Sequence, residues 1–185
     1  TAFDEKPAQP TSIPGRPDRA LASMGIYIFN ANFLYEQLLR DEADSNSSHD
    51  FGKDLIPYCL TRYHLQSHDF VDSCVGEANK APYWRDVGTI DAYWEANIDL
   101  THVIPELNLY DEEWPIWTAQ EQLPPTKFVF NDEGRRGAAV DSLTAGGSVI
   151  SGAMVRRTML FWRVRVNSYS TVEDSVILPG VEIGR

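Results

Sequence analysis

The sequence predicts two architectures in series: a layered α/β domain over residues 1–104 and a parallel β-helix over residues 140–185, with residues 105–139 as a linker. Three observations carry this. A β-prone run, Ser23–Phe29, leads directly into a helix-period stretch with Phe33, Leu34, Gln37 and Leu38. A second such stretch, Ile90–Leu100, spaces Tyr93, Trp94 and Ile98 along one helical face. Towards the C-terminus, aliphatic residues recur every six positions.

The first 22 residues are irregular, because Pro7, Pro10, Pro14, Gly15 and Pro17 interrupt any helix or ladder. The run SMGIYIF at 23–29 reads as a buried strand, and Asn30 or Asn32 supplies the cap of the helix after it. The polar, Ser/Asn-rich stretch 41–50 is a loop, and Leu55–Tyr63 a shorter helix. Phe70, Val71, Cys74 and Val75 read as one or two strands, and Tyr83–Thr89 as a loop. Pro105, Pro115, Pro124 and Pro125 keep the following connector from forming helix, and NDEGRRGAA at 131–139 is turn-rich.

The repeat follows. Leu143, Val149 and Val155 are six apart, as are Leu160, Val166 and Val172, and then Ile177 and Ile183; between sets the step slips to five. A six-residue period with small or polar residues between the aliphatics, and Gly146, Gly147, Gly152, Gly180 and Gly184 at corners, is the hexapeptide pattern of a parallel β-helix. The competing reading is a β-meander, since two-residue alternation is compatible with a step of six. Two to three coils fit in this length. The abrupt start, and a solenoid that ends without a cap, lead us to expect a piece of a longer protein.

Composition excludes some partners. The 185 residues are 43% apolar and 23% charged, with a net charge of −11. Residues 140–185 hold five arginines against four acids, so the rest of the chain carries −12. Such an acidic first part argues against nucleic acid as a partner. Apolar runs as short as Met24–Phe29 argue against a membrane span. Cys59 and Cys74 show no CxxC spacing and read as reduced thiols of a cytoplasmic protein. With His49, His64, His68 and His102 they form no metal-ligand pattern.

Three segments offer chemistry. In FDEKP at 3–7, Pro7 forces Lys6 into an extended conformation, so a fixed ammonium beside Glu5 can take a phosphate and a hydroxyl; a solvated ion pair is the plainer reading. Asp50 next to Phe51 can bond sugar hydroxyls while the ring covers an apolar face, or it can cap a helix through the Lys53 or Asp54 amides. In WRDVGT at 84–89, Asp86 before a glycine turn can hold a hard cation such as Mg²⁺ together with phosphate oxygens, and Trp84 can stack on a sugar. A capped turn leading into the helix at Ile90 is the alternative.

Taken in order, FDEKP (3–7), ASMGIYIF (22–29), SHDFGKDLIP (48–57), YWRDVGT (83–89), NLY (108–110), WPI (114–116), LPPTKF (123–128) and GGSVISG (146–152) resemble the bacterial glucose-1-phosphate adenylyltransferases. The resemblance covers nearly the whole chain. It implies the C-terminal half of a nucleotide-diphospho-sugar transferase domain, with a Rossmann-like mixed sheet, followed by the start of a left-handed parallel β-helix. Residues 1–104 would be the sugar-phosphate half. It also implies the reaction of ATP with glucose 1-phosphate to give ADP-glucose, for glycogen synthesis, and diphosphate.

By motif, Lys6 would hold the sugar's phosphate and Glu5 its hydroxyls, while Ser23, Tyr27, Asp50, Phe51 and Trp84 line the sugar pocket. Asp86 would be one of two carboxylates for Mg²⁺, and with Lys6 would carry catalysis. The full-length enzyme is expected to be a cytoplasmic, allosteric homotetramer with no nucleic-acid or membrane partner. The family's glycine-rich nucleotide loop and first metal carboxylate, which precede Lys6 in the family, are absent from this sequence, so the piece alone is expected to be inactive. Asp4 stands where family members commonly carry Val or Glu.

Three other functions fit the sequence less well. Another sugar-1-phosphate nucleotidyltransferase would differ in base-reading residues that this sequence does not contain. A hexapeptide acyltransferase would use a histidine near the solenoid, and residues 140–185 contain none. A non-catalytic regulatory subunit is disfavoured by Lys6 and Asp86.

Overall fold

The computed structural model describes residues 3, 7–73 and 82–184. They fall into two compact units, Thr1–His68 and Asp69–Arg185.

The first unit opens with a small antiparallel hairpin, β1 (Ser12–Ile13) and β2 (Arg16–Ala20). Its main elements are helices. Asn30 caps α1 (Ala31–Glu42), its side-chain oxygen accepting from the Asn32 and Phe33 amides at 3.1 and 3.4 Å. A π-helical turn, Phe51–Leu55, leads into α2 (Ile56–Leu60). The small core consists of Leu55, Ile56 and Cys59. Phe33 meets Tyr63 edge-on at 4.8 Å, and the Arg40 and Arg62 guanidinium carbons stand 3.4 and 4.0 Å from the Tyr58 ring centre. Burial pushes the Cys59 thiol up from its ordinary range, which keeps it protonated.

Several expectations change. The β1–β2 hairpin, with Pro17 inside β2, forms within the first 22 residues, which were expected to be irregular. Residues 23–29 form no strand, and Ile26 and Ile28 are 72% and 99% exposed. A β-prone run becomes a strand only when a neighbour completes its ladder, and the one ladder among the described residues of this unit is β1–β2. In the second unit, Phe70–Ser73 is a single 3₁₀ turn instead of strand. Asp69 explains it: its carboxylate accepts from the Val71 amide and its carbonyl from the Asp72 amide, local bonds that compete with a ladder. Cys74 and Val75 lie outside the described residues.

The second unit carries α3 (Ile90–Asp99), capped by the Thr89 hydroxyl, which accepts from the Ala92 amide at 3.1 Å. After an irregular stretch, the β-helix follows from Lys127 onwards. Three strands make each coil: β6 (Ala138–Val140), β7 (Leu143–Thr144) and β8 (Val149–Ser151), then β9 (Met154–Arg156), β10 (Met159–Leu160) and β11 (Arg165–Val166), then β12 (Thr171–Glu173), β13 (Val176–Ile177) and β14 (Glu182–Ile183). All ladders between coils are parallel: β6-β9-β12, β7-β10-β13 and β8-β11-β14. The antiparallel meander is excluded.

Register identifies the interior. Ala139 aligns with Val155 and Val172, Thr144 with Leu160 and Ile177, and Ile150 with Val166 and Ile183. Ile150, Val155, Leu160 and Val166 are fully buried. The aliphatics expected inside are therefore correct from Val155 onwards. In the first coil, however, Thr144 and Ile150 point inward, one position after the expected Leu143 and Val149. A strand's side chains alternate, so an apolar pair such as Val149–Ile150 can serve either face, and only register decides.

Pairing also starts earlier than the repeat suggests. β3 (Lys127–Val129) runs parallel to β8 inside the stretch expected as linker, and β6 begins in the last two residues of that stretch. Between them an antiparallel hairpin, β4 (Asn131–Asp132) with β5 (Arg135–Arg136), interrupts the six-residue spacing. The corners require left-handed backbone. Gly147 and Gly180 supply it at one corner, but Asp141, Arg157 and Asp174 adopt φ of 47°, 43° and 47° at another. There the Arg157 amide donates to Val140 O and the Asp174 amide to Arg156 O, both at 3.2 Å, so the three corners stack. Their charges alternate, and Arg157 grips Asp174 through two bonds of 2.6 and 2.8 Å. Helix α3 docks against this stack through the Trp94 indole, which donates to the Asp174 carbonyl at 2.8 Å. No helix among the described residues is long and apolar enough to cross a membrane.

Candidate functional site

In the first unit, three of the expected sugar-pocket residues, Ser23, Tyr27 and Phe51, come together within an aromatic cluster, and a fourth, Asp50, directly precedes Phe51. Gly25, at φ 72°, turns the chain so that Ser23 and Tyr27 face each other, their hydroxyls 2.9 Å apart; the Gly25 amide donates to the Ser23 oxygen at 3.2 Å. The Tyr27 ring stacks on Phe51 at 6.1 Å with planes 7° apart, and Phe29 sets its ring at a steep angle to both. Tyr27 and Phe51 remain 37% and 39% exposed, so their ring surface is open to a ligand.

Asp50 performs the capping role that the sequence allowed. One carboxylate oxygen accepts from the Gly52 and Lys53 amides at 2.8 and 2.9 Å, one residue earlier than the Lys53 or Asp54 pair expected. Its other oxygen accepts no bond among the described residues. Capping and ligand binding are therefore compatible here. Hydroxyls, a carboxylate and an open aromatic face form the set of groups that binds a sugar: polar atoms for its hydroxyls and a ring for its C–H face.

Sequence reasoning missed the residues that hold this segment. Asp41 of α1 is only 6% exposed, and its two oxygens meet the Ser47 hydroxyl at 2.9 Å and His49 Nδ1 at 3.1 Å. Asp54 accepts at one oxygen from the Ser48 amide (3.1 Å), the Ser48 hydroxyl (2.5 Å) and the Asp50 amide (3.1 Å). The Ser48 hydroxyl, then the Asp50 amide, hold the Asp54 carboxyl below its ordinary pKa. Asp41 opens the stretch expected as a loop and carries no motif, so no local pattern marked it; the structure places it in the last turn of α1. Asp54 was visible only as an acid four residues beyond Asp50.

The second unit holds Trp84 and Asp86. Trp84 is 49% exposed. Asp86 is exposed, with one oxygen accepting from the Gly88 amide at 3.0 Å, an Asx turn that delivers the chain to the Thr89 cap of α3. Arg85 is committed elsewhere: it donates to Glu106 at 2.8 Å and lies 3.9 Å from Asp99, and the Glu106 bond raises its pKa. Among the described residues no three side chains gather as a metal cage. The donor set at Asp86 thus fits a hard cation held by one protein carboxylate and completed by ligand oxygens and water, and does not fit a protein-only site. Glu5 and Lys6 lie outside the described residues.

The nucleotidyl transferase family model matches residues 1–103, and a GlmU-like, C-terminal hexapeptide family matches residues 124–185. Among curated relatives, the glucose-1-phosphate adenylyltransferase of Methylobacillus flagellatus is 67% identical over 183 residues, 99% of this chain and 43% of the relative. That of Dechloromonas aromatica is 66% identical over 99% of this chain and 42% of its own length. That of Nitrosospira multiformis is 63% identical over 100% of this chain and 44% of its own length. The chain therefore spans less than half the length of the relatives it matches. Its first 103 residues carry the family match, and on that ground the chain belongs to the nucleotidyl transferase family.

Proposed function

We propose that this chain supplies the sugar-phosphate side of a glucose-1-phosphate adenylyltransferase, which converts ATP and glucose 1-phosphate to ADP-glucose and diphosphate. The observation that carries the reading is the assembly of Ser23, Tyr27 and Phe51 into one open, polar-aromatic cluster, with the Asp50 carboxylate on the residue before Phe51. The relatives' shared name supports the same conclusion.

In this reading a phosphate oxygen of glucose 1-phosphate forms the new bond to the α-phosphorus of ATP. The bond from that phosphorus to the bridging β-phosphate oxygen breaks, and diphosphate leaves with the electron pair. The attacking oxygen is already ionised at neutral pH, so no general base is required. Positioning and charge neutralisation are then the whole task of the protein. Lys6 pairs with the sugar's phosphate, and Glu5 and Asp50 accept from glucose hydroxyls. Tyr27 and Phe51 offer ring surface to the hexose, as does Trp84. Ser23 orients the Tyr27 hydroxyl. Asp86 would hold Mg²⁺, which when bound offsets negative charge on the phosphates. The free, buried Cys59 thiol accords with a cytoplasmic setting.

The test is a product assay on the full-length protein with Mg²⁺, glucose 1-phosphate and each nucleoside triphosphate in turn, with sugar nucleotides resolved by anion-exchange chromatography. ADP-glucose should form fastest, with other bases slower by about 100-fold or more where base-directed hydrogen bonds are lost. Preferential formation of UDP- or dTDP-glucose would overturn the assignment.

A further inference from the structure

We propose that Asp41 and Asp54 are positioning residues: they clasp residues 47–50 from two helical elements and so fix Asp50 and Phe51 for the sugar phosphate. This rests on reading Asp50 and Phe51 as contacts of glucose 1-phosphate.

Residues 47–50 lack regular structure, and only the Asp50 carbonyl, which accepts from the Asp54 and Leu55 amides, shares in the bonds of a helix. They are nevertheless tied at every residue: Ser47 and His49 to Asp41, and Ser48 and Asp50 to Asp54. A helix cap accounts for one of these contacts, the Asp50 amide bonded back to Asp54. It does not account for the bonds to Ser48, nor for the contribution of Asp41 from a different helix. Asp41 is also an unfavourable place for a carboxylate unless the bonds matter, because it is almost buried and a buried charge must be matched by partners. Its match is Ser47, His49 and, at 3.8 Å, the Arg40 guanidinium.

The clasp also holds strain. His49 sits at φ 59°, a left-handed conformation that a non-glycine residue adopts at a cost and keeps only when its surroundings impose it. That reversal turns the chain immediately before Asp50. Released from Asp41 and Asp54, the segment would sample other conformations, and Asp50 and Phe51 would present their groups to the ligand for only part of the time. Glucose 1-phosphate affinity falls by that fraction, while ATP binding and the chemical step of the bound complex do not.

Asp41 is buried, so its replacement risks general damage, and the partner residues make the better test. Ser48→Ala removes the hydroxyl from Asp54, and His49→Asn keeps a residue that tolerates left-handed backbone while removing the imidazole from Asp41. Initial-rate kinetics of the full-length protein, with melting temperatures, are compared across these variants, their double mutant and Asp50→Ala. We expect the double mutant to raise KM for glucose 1-phosphate about 10-fold, with KM for ATP and kcat within about twofold and a melting temperature lowered by no more than about 5 °C. Unchanged glucose 1-phosphate kinetics in the double mutant, alongside a raised KM in Asp50→Ala, would overturn the clasp but spare the sugar site. Parallel loss of both substrates would reduce the clasp to a stability feature. No effect of Asp50→Ala on KM would overturn the sugar-site reading, and the clasp with it.

Discussion

Tyr27 and Phe51 lie with ring planes 7° apart, and the Tyr27 hydroxyl meets the Ser23 oxygen at 2.9 Å, so one tyrosine ties together two segments of the first unit. Removing the hydroxyl while keeping the ring separates its two roles. Tyr27→Phe preserves the stack and loses one hydrogen bond, which should cost about 0.5–1.5 kcal/mol, or roughly 2- to 12-fold in KM for glucose 1-phosphate. KM for ATP should not move. A change in both, or in the melting temperature alone, would make the hydroxyl structural.

The Asp54 carboxyl gives a pH signature. Its folded pKa lies below the ordinary value of 3.8, chiefly because of the Ser48 hydroxyl. A depressed carboxylate contributes stability that is present above its unfolded pKa and is lost as pH falls through the folded pKa. Ser48→Ala should therefore raise the Asp54 pKa in an NMR titration. The stability difference between wild type and variant should be steady above pH 3.8 and shrink below it. A difference that grows towards acid would contradict the assignment.

Gly88 gives a structural test of Asp86. A Cβ at this glycine would stand 3.1 Å from the nearer Asp86 oxygen, so alanine there must displace the carboxylate. The obstacle is a surface side chain and not backbone, so folding should be nearly unaffected. Gly88→Ala should raise the Mg²⁺ concentration giving half-maximal rate, and Asp86→Asn should raise it further and cut kcat by about 100-fold or more. An Asp86→Asn variant with lost activity but an unaltered Mg²⁺ requirement would make Asp86 a sugar ligand instead.

The β-helix derives its stability from its interior, not from its charged corner. Leu160 is fully buried between Thr144 and Ile177, and Leu160→Ala should destabilise by about 2–5 kcal/mol. The Arg157–Asp174 pair has better geometry than most, yet it is solvent-exposed and screened. Arg157→Ala should therefore shift the unfolding midpoint far less than Leu160→Ala in urea denaturation at physiological salt. The reverse order would mean that the corner stack, and the docking of Trp94 on it, holds the coils.

The solenoid was the most legible part of the sequence, because each coil repeats the same spacing and errors at one position are checked by the next. Its first coil was displaced by one residue because Val149 and Ile150 are equally apolar, and the choice between them belongs to strand register. Helices α1 and α3 were legible from their apolar spacing; of the two caps the sequence offered for α1, Asn30 is the one used, and the Thr89 cap of α3 emerged only from the structure. The run at 23–29 was misread because strand formation depends on a neighbour that local sequence does not encode. Motifs brought Ser23, Tyr27, Asp50 and Phe51 into view. The contacts of Asp41 stayed hidden, since a helical aspartate acquires its role only when a loop folds back onto it.

The central claim, that this chain serves the sugar phosphate and not the nucleotide, is tested most directly at Lys6. In the sequence Glu5 precedes it and Pro7 follows it. In the full-length protein, steady-state kinetics of Lys6→Ala should show KM for glucose 1-phosphate raised by roughly 30- to 150-fold, the equivalent of about 2–3 kcal/mol for a lost charge-assisted contact. KM for ATP should stay within about twofold of wild type. Equal increases for both substrates, or a selective increase for ATP, would contradict the account.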